Sequence, residues 1–222
     1  TALFKQKRIV SRPLPQTADV AVYLTRLDFL EQRLSDFFAT RVYDGPIASL
    51  GHAPHRVIEG RQLDAEQEAA VRAALDPACP AVIVTGGPGT GKTTLVREIC
   101  QRFRGLIALC SPTGKAAKRL TEQTGRDAKT IHRLLAWSPQ DETWLHHELN
   151  PLPHDLVVVD EASMVDVDLA FALTSALTAT TKLVVVGDVD QLPSIGPGHL
   201  LRDLIASRRL LTVRLETLHR QA

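Results

Sequence analysis

The chain has 222 residues, enough for one large domain or a domain with an appendage, and 44% hydrophobic with 23% charged residues is an ordinary globular composition. A net charge of +1 supplies no global attraction for a polyanion, so any nucleic-acid surface has to be local. Cys79, Cys100 and Cys110 are odd in number and lack C-x-x-C spacing, which favours buried free thiols in a reducing, cytoplasmic compartment, and the absence of both a signal-peptide layout and an apolar run of about 18 residues gives no sign of a membrane partner.

In chain order, residues 1–19 are basic and carry Pro13 and Pro15, which suits an extended lead-in. Over 20–41 the apolar positions Val20, Leu24, Leu27, Leu30, Leu34, Phe37 and Phe38 recur at three- and four-residue spacing and predict an amphipathic helix. Gly45-Pro46 ends it, and 47–59 reads as connector. Next, Asp64 is a candidate helix cap with Gln67 three residues later, where a capping-box partner sits. Gln67 has two readings: a cap partner, or an amide that both donates to and accepts from an adenine edge.

The segment that organises the chain follows. An apolar run Ala81-Val82-Ile83-Val84 leads into Gly86-Gly87-Pro88-Gly89-Thr90-Gly91-Lys92-Thr93-Thr94, which fits G-x-x-x-x-G-K-[ST] and opens a helical pattern. Small residues let the backbone curl around an anion, and the helix N-terminus adds partial positive charge at the same point. Lys92 then reaches the β- and γ-phosphates of a nucleoside triphosphate, and the Thr93 hydroxyl completes a Mg²⁺ shell.

After that helix, which runs to about Phe103, an apolar strand at 105–110 ends in Ser111-Pro112-Thr113-Gly114-Lys115, followed by a helical stretch to Leu120. Between 111 and 133 the bases Lys115, Lys118, Arg119, Arg126, Lys129 and Arg133 outnumber Glu122 and Asp127. That excess fits a surface tracking nucleic-acid phosphates, and fits an ordinary solvated helix face as well. Thr130 caps a short helix containing His132. The stretch 136–154 is polar and proline-broken yet contains Trp137 and Trp144, a hairpin or an irregular insertion.

A second apolar strand at 155–159 ends in Asp160-Glu161. A carboxylate at the tip of a buried strand is expensive unless something cationic meets it. Beside a phosphate loop that partner is Mg²⁺ on Asp160, with Glu161 placed to orient or deprotonate an attacking water. A third apolar strand at 182–186 runs into Gly187-Asp188-Val189-Asp190-Gln191. Open α/β sheets bind ligands at such strand ends, so Gln191 is a γ-phosphate sensor and Asp188 a supporting metal contact. A helix at 199–208 and a strand at 210–215 complete the pattern; His199 has no visible partner.

Together, the segments 63–67, 86–94, 111–120, 130–135, 160–166, 187–193 and 218–221 resemble the ordered motifs of superfamily 1 helicases, most closely the RecD-like group: the alpha subunit of exodeoxyribonuclease V and its stand-alone relatives. The resemblance implies an α/β fold: a RecA-like P-loop domain at 61–222 with a mostly parallel sheet flanked by helices, preceded by a lead-in and small helical segment at 1–60. It implies ATP-dependent 5′ to 3′ movement on single-stranded DNA in repair or recombination. The partners implied are single-stranded DNA or a single/double-strand junction, and subunits of a helicase–nuclease complex.

Carried over by position, it makes Gln67 an adenine contact and Gly87, Pro88, Gly89, Thr90, Gly91, Lys92, Thr93 and Thr94 the ATP cradle. Thr93 and Asp160 hold Mg²⁺; Lys92, Glu161, Gln191 and Arg220 are catalytic, Arg220 reaching the γ-phosphate. Pro112, Thr113, Gly114, Lys115, Thr130 and His132 match segments lying along the DNA backbone, and 137–150 a strand-splitting hairpin. Such motors use two RecA-like domains, and the second is absent from these residues, so the fragment alone is expected to be weak or inactive. Two other classes stay open: the motor of a conjugative relaxase-type helicase, and a non-catalytic nucleotide-binding module.

Overall fold

The computed structural model describes residues 8–13, 19–46 and 63–219. A hairpin of β1 (Ile9–Pro13) and β2 (Val20–Leu24) leads into helix α1 (Thr25–Ala39). Then follow α2 (Ala65–Leu75), β3 (Ala81–Gly86), α3 (Lys92–Arg102), β4 (Ile107–Ser111), α4 (Gly114–Thr124), β5 (Ala128–Thr130) and the short α5 (Ile131–Leu134). A small hairpin of β6 (Trp137–Ser138) and β7 (Thr143–Trp144) precedes β8 (Leu156–Val159), α6 (Val167–Ser175), β9 (Lys182–Gly187), α7 (Leu200–Ser207) and β10 (Leu211–Leu215).

Strands β3, β4, β5, β8, β9 and β10 form one six-stranded sheet in the order β10-β3-β9-β8-β4-β5, with every pair parallel. The strands read as continuous apolar runs because helices cover both faces, and successive side chains enter opposite cores. Ile83, Val157, Val159, Leu183 and Val185 pack on one face with α1, α6 and α7. Val82, Val84, Leu156, Val158, Val184 and Val186 pack on the other with α2, α3 and α4. Register places Val159 beside Val185 and Thr85 beside Gly187, so β8, β9 and β3 end level. Whatever follows these three strands emerges at one edge, which is how the fold makes a site.

Residues 20–41 do not form one helix. Val20, Val22 and Leu24 alternate with Ala21 and Tyr23 in a strand paired to Ile9–Pro13, and the helix begins at Thr25. Two-residue alternation and helical spacing coincide at Val20 and Leu24, and the long-range partner decides between them. Leu30, Leu34 and Phe38 of α1 are buried in the same core as the sheet, each contributing about 1.5–3 kcal/mol. Polar ties fix the helix in place: Arg26 pairs with Asp168, and the buried Arg41 donates to the Thr178 carbonyl at 2.9 Å while its guanidinium stacks 3.6 Å over Phe37. Burial lowers the pKa of Arg41.

Cys79, Cys100 and Cys110 are buried free thiols, Cys79 and Cys100 pushed up to about 11 by desolvation. Among the described residues no helix is long and apolar enough to cross a membrane. The expected connector at 47–59 and Arg220 lie outside the described residues.

Candidate functional site

The level strand ends open into a cleft of about 1000 Å³. It is lined by Leu63, Gln67 and His219, by the loop 88–94, and by Arg119, Asp160, Glu161 and Gln191. Lys92, Thr93, Asp160, Glu161 and Gln191, which come from three adjacent strands, therefore face one space.

The loop's shape follows from its glycines at two points. Gly91 has φ +82° at the start of α3, and a Cβ there meets the Gln67 side-chain nitrogen at 2.2 Å. Gly89 has φ +80° and open space in front of it, so its backbone is left bare toward the cleft. Thr90 is buried and donates from its hydroxyl to the Gly87 carbonyl at 2.9 Å, bracing the turn. Lys92 Nζ donates to the carbonyls of Gly86 at 2.5 Å and Gly87 at 2.9 Å, folded back over the loop at the point an anion would take.

Gln67 fulfils the first of its readings, the cap partner. It completes the capping box, its N–H donating to Asp64 Oδ1 at 2.7 Å and its Oε1 accepting from the Asp64 N–H at 3.2 Å. Its Nε2 meanwhile donates to the Thr90 carbonyl at 3.3 Å, so the cap of α2 and the loop are one hydrogen-bonded unit at the cleft wall. His219 closes that wall. Its backbone N–H donates to the Gly89 carbonyl at 2.9 Å, and its Nε2 lies 2.8 Å from Asp64 Oδ2 and 3.2 Å from Gln67 Nε2.

Across the cleft, burial and then repulsion from Glu161 push the Asp160 carboxyl up to about 6, against weaker opposition from the Glu161 backbone N–H, Lys92 and Arg119. Glu161 sits in the left-handed region at φ 54°, ψ 42°, an unusual place for a side-chain-bearing residue. Its Oε2 is buried without a hydrogen-bond partner. Two crowded carboxylates, one under-satisfied, beside the hydroxyl-bearing Thr93 are an oxygen donor set suited to a hard divalent cation. Among the described residues no group of three or more His, Cys, Asp or Glu side chains is placed to hold a metal ion, so this donor set is two carboxylates and a hydroxyl.

A raised carboxyl has a stability consequence with a definite sign. The folded state holds the Asp160 proton more tightly than the unfolded chain, whose carboxyl titrates near 3.8, so stability falls as pH climbs from about 4 to about 6 and stays lower above. Asp160→Asn keeps the acceptor for the Glu161 N–H and removes the charge. In EDTA without nucleotide it should stabilise the chain by about 1–3 kcal/mol at pH 8 and by nothing at pH 4 in urea titrations. An equal change at both pH values contradicts a charge origin.

Gln191 is exposed at the cleft mouth. Asp188 does not face this cleft: it is buried, and its Oδ1 accepts from the Asp190 N–H at 3.0 Å, holding the turn that presents Gln191. At the ends of the neighbouring β4 and β5, Thr113 caps α4 by accepting from the Ala116 N–H, and Thr130 caps α5 by accepting from the Arg133 N–H. Pro112, Gly114 and Lys115 sit in the same strand-to-helix junction, with Lys115 exposed. His132 packs at a tilt against Trp144 with ring centroids 5.3 Å apart, and Trp144 against Trp137 at 4.5 Å, so the small hairpin and α5 form one aromatic cluster.

Sequence reasoning missed Arg119 and His219 as cleft residues. Arg119 is one of several bases on a helix, and only the packing of α4 shows which one faces inward; His219 comes to Asp64 from 155 residues away.

Residues 67–197 match the family described as AAA domain. The ATP-dependent RecD2 DNA helicase of Deinococcus radiodurans is 36% identical over 212 residues, covering 93% of this chain and 29% of the relative. The RecBCD enzyme subunit RecD of Mycolicibacterium smegmatis is 41% identical over 167 residues, covering 63% of this chain and 30% of the relative. The chain thus spans less than a third of the length of these relatives. Among solved structures, a Pif1 helicase from Bacteroides shares the fold with a TM-score of 0.52 at 22% identity, over 74% of this chain and 44% of that one. The chain belongs to the AAA domain family, has a RecA-like fold, and is RecD-like in sequence over the matched residues.

Proposed function

We propose that the chain is the first motor domain of an ATP-dependent DNA helicase that moves 5′ to 3′ on single-stranded DNA. The observation that carries this is the convergence of Lys92, Asp160, Glu161 and Gln191, from three neighbouring parallel strands, on one cleft. The triphosphate lies over 87–94 with its base toward Gln67, and Lys92 exchanges its Gly86 and Gly87 carbonyls for phosphate oxygens. Glu161 holds and deprotonates the attacking water, and its backbone conformation keeps the carboxylate at the cleft edge. Thr93 and Asp160 would hold Mg²⁺, which would supply charge neutralising the phosphates. Gln191, on an exposed turn, passes the state of the γ-phosphate to the DNA grip, and Arg220 adds charge to the transition state.

Pro112, Thr113, Gly114, Lys115, Thr130 and His132 form the DNA-backbone track at the neighbouring strand ends, and the Trp137–Trp144 hairpin splits the duplex at a junction. The division into an N-terminal segment at 1–60 and a motor domain at 61–222 is part of the same reading, as are work in repair or recombination, a cytoplasmic location and subunits of a helicase–nuclease assembly. Names of relatives support the last: RecD2 is called a DNA helicase and RecD a subunit of RecBCD.

The test uses the protein at its natural length. With ATP and Mg²⁺ it should unwind a duplex with a 5′ single-stranded tail at least about tenfold faster than one with a 3′ tail, since a translocating strand can be loaded from one end only. Equal rates overturn the polarity. ATP turnover that DNA does not stimulate overturns the motor and favours the nucleotide-binding module.

A further inference from the structure

The geometry points to Arg119 as a γ-phosphate ligand supplied by the first motor domain itself, an inference that rests on the nucleotide reading of the cleft. Lys118 and Arg119 are consecutive on α4 and point differently. Lys118 is exposed and lies 4.0 Å from Glu122. Arg119 shares a helix face with Ala116, Glu122 and Gln123, three and four residues away, and that face lines the cleft together with Thr93, whereas Lys118 does not line it. No hydrogen bond or ion pair among the described residues ties its guanidinium down, while its charge is felt at Asp160 together with that of Lys92.

Position along the cleft selects the phosphate. Gln67 donates to the Thr90 carbonyl and meets His219, while Arg119 lines the same cleft close enough to Asp160 for its charge to act there with that of Lys92. A nucleotide with its base at Gln67 puts its outermost phosphate at Arg119, where a diphosphate has nothing to offer. A guanidinium there makes paired hydrogen bonds to the terminal oxygens that a lysine ammonium does not match. Arg119 is therefore removed from the basic DNA track and given to the nucleotide.

Titration of the full chain in Mg²⁺ with fluorescent ADP and a fluorescent non-hydrolysable ATP analogue tests this. Arg119→Ala should weaken the triphosphate about tenfold and leave ADP and single-stranded DNA unchanged; Arg119→Lys should recover part of the loss. Equal weakening of both nucleotides, an unchanged triphosphate affinity, or a loss of DNA affinity instead overturns the assignment. Lys92→Ala, run alongside, weakens both nucleotides if the underlying cleft reading holds, so a failure of that reading is seen separately. Thermal melting of Arg119→Ala should match the parent, because the side chain is exposed.

Discussion

Lys92→Ala lowers ATP turnover by at least about 100-fold in the natural-length protein and removes most nucleotide affinity. The ammonium is the one lysine on the cleft floor, and it sits half-buried where solvent screens it weakly. Its present partners are two carbonyls of the loop, weak acceptors beside a phosphate carrying full charge. Loss of one such group at developing charge is worth about 10²–10³ in rate. Folding should change little, because the ammonium donates only to two carbonyls of its own loop. Near-normal turnover by steady-state ATPase assay contradicts the assignment of the loop; a collapsed melting temperature shows that Lys92 supports the fold instead.

Glu161→Gln has the second large effect, and a different shape. Glutamine has nearly the same volume and the same tolerance of the left-handed backbone at φ 54°, so the 3₁₀ turn at Ala162–Met164 is retained. The exchange removes a negative charge beside Asp160, which relieves the repulsion that, after burial, raises Asp160. Nucleotide binding should therefore be equal or tighter. Hydrolysis should fall by about 10²–10⁴, the range associated with a positioned proton acceptor. Single-turnover measurements separate the two: binding intact with a lost chemical step is expected, and weakened binding with an unchanged chemical step contradicts a base at this position.

Much of the site was legible because local chemistry dictates it. The three apolar runs before Gly86, Asp160 and Gly187 could only be strands covered on both faces, and each ends in a polar switch. Caps at Asp64 and Thr130 follow from short side chains that satisfy free helix N–H groups. What depends on partners far along the chain was not legible. Val20–Leu24 became a strand because Ile9–Pro13 pairs with it, and β5 adds an edge strand at Ala128–Thr130 that has no apolar run of its own. The same limit hid the inward turn of Arg119, the approach of His219 to Asp64, and the double service of Gln67 as cap partner and loop brace. Asp188 looked like a supporting metal contact from its place at a strand end, and the structure instead spends it on the turn that holds Gln191 out.

The claim on which the rest depends is that one cleft receives both a metal and a triphosphate tail. Crystals of the chain grown with Mn²⁺ and a non-hydrolysable ATP analogue, measured at the manganese absorption edge, test it directly. A single anomalous peak between Thr93 and Asp160 is predicted, with phosphate density over 87–94 and Lys92 Nζ moved from the Gly86 and Gly87 carbonyls onto it. A peak away from both residues, or phosphates outside the loop with Lys92 still on those carbonyls, contradicts the account.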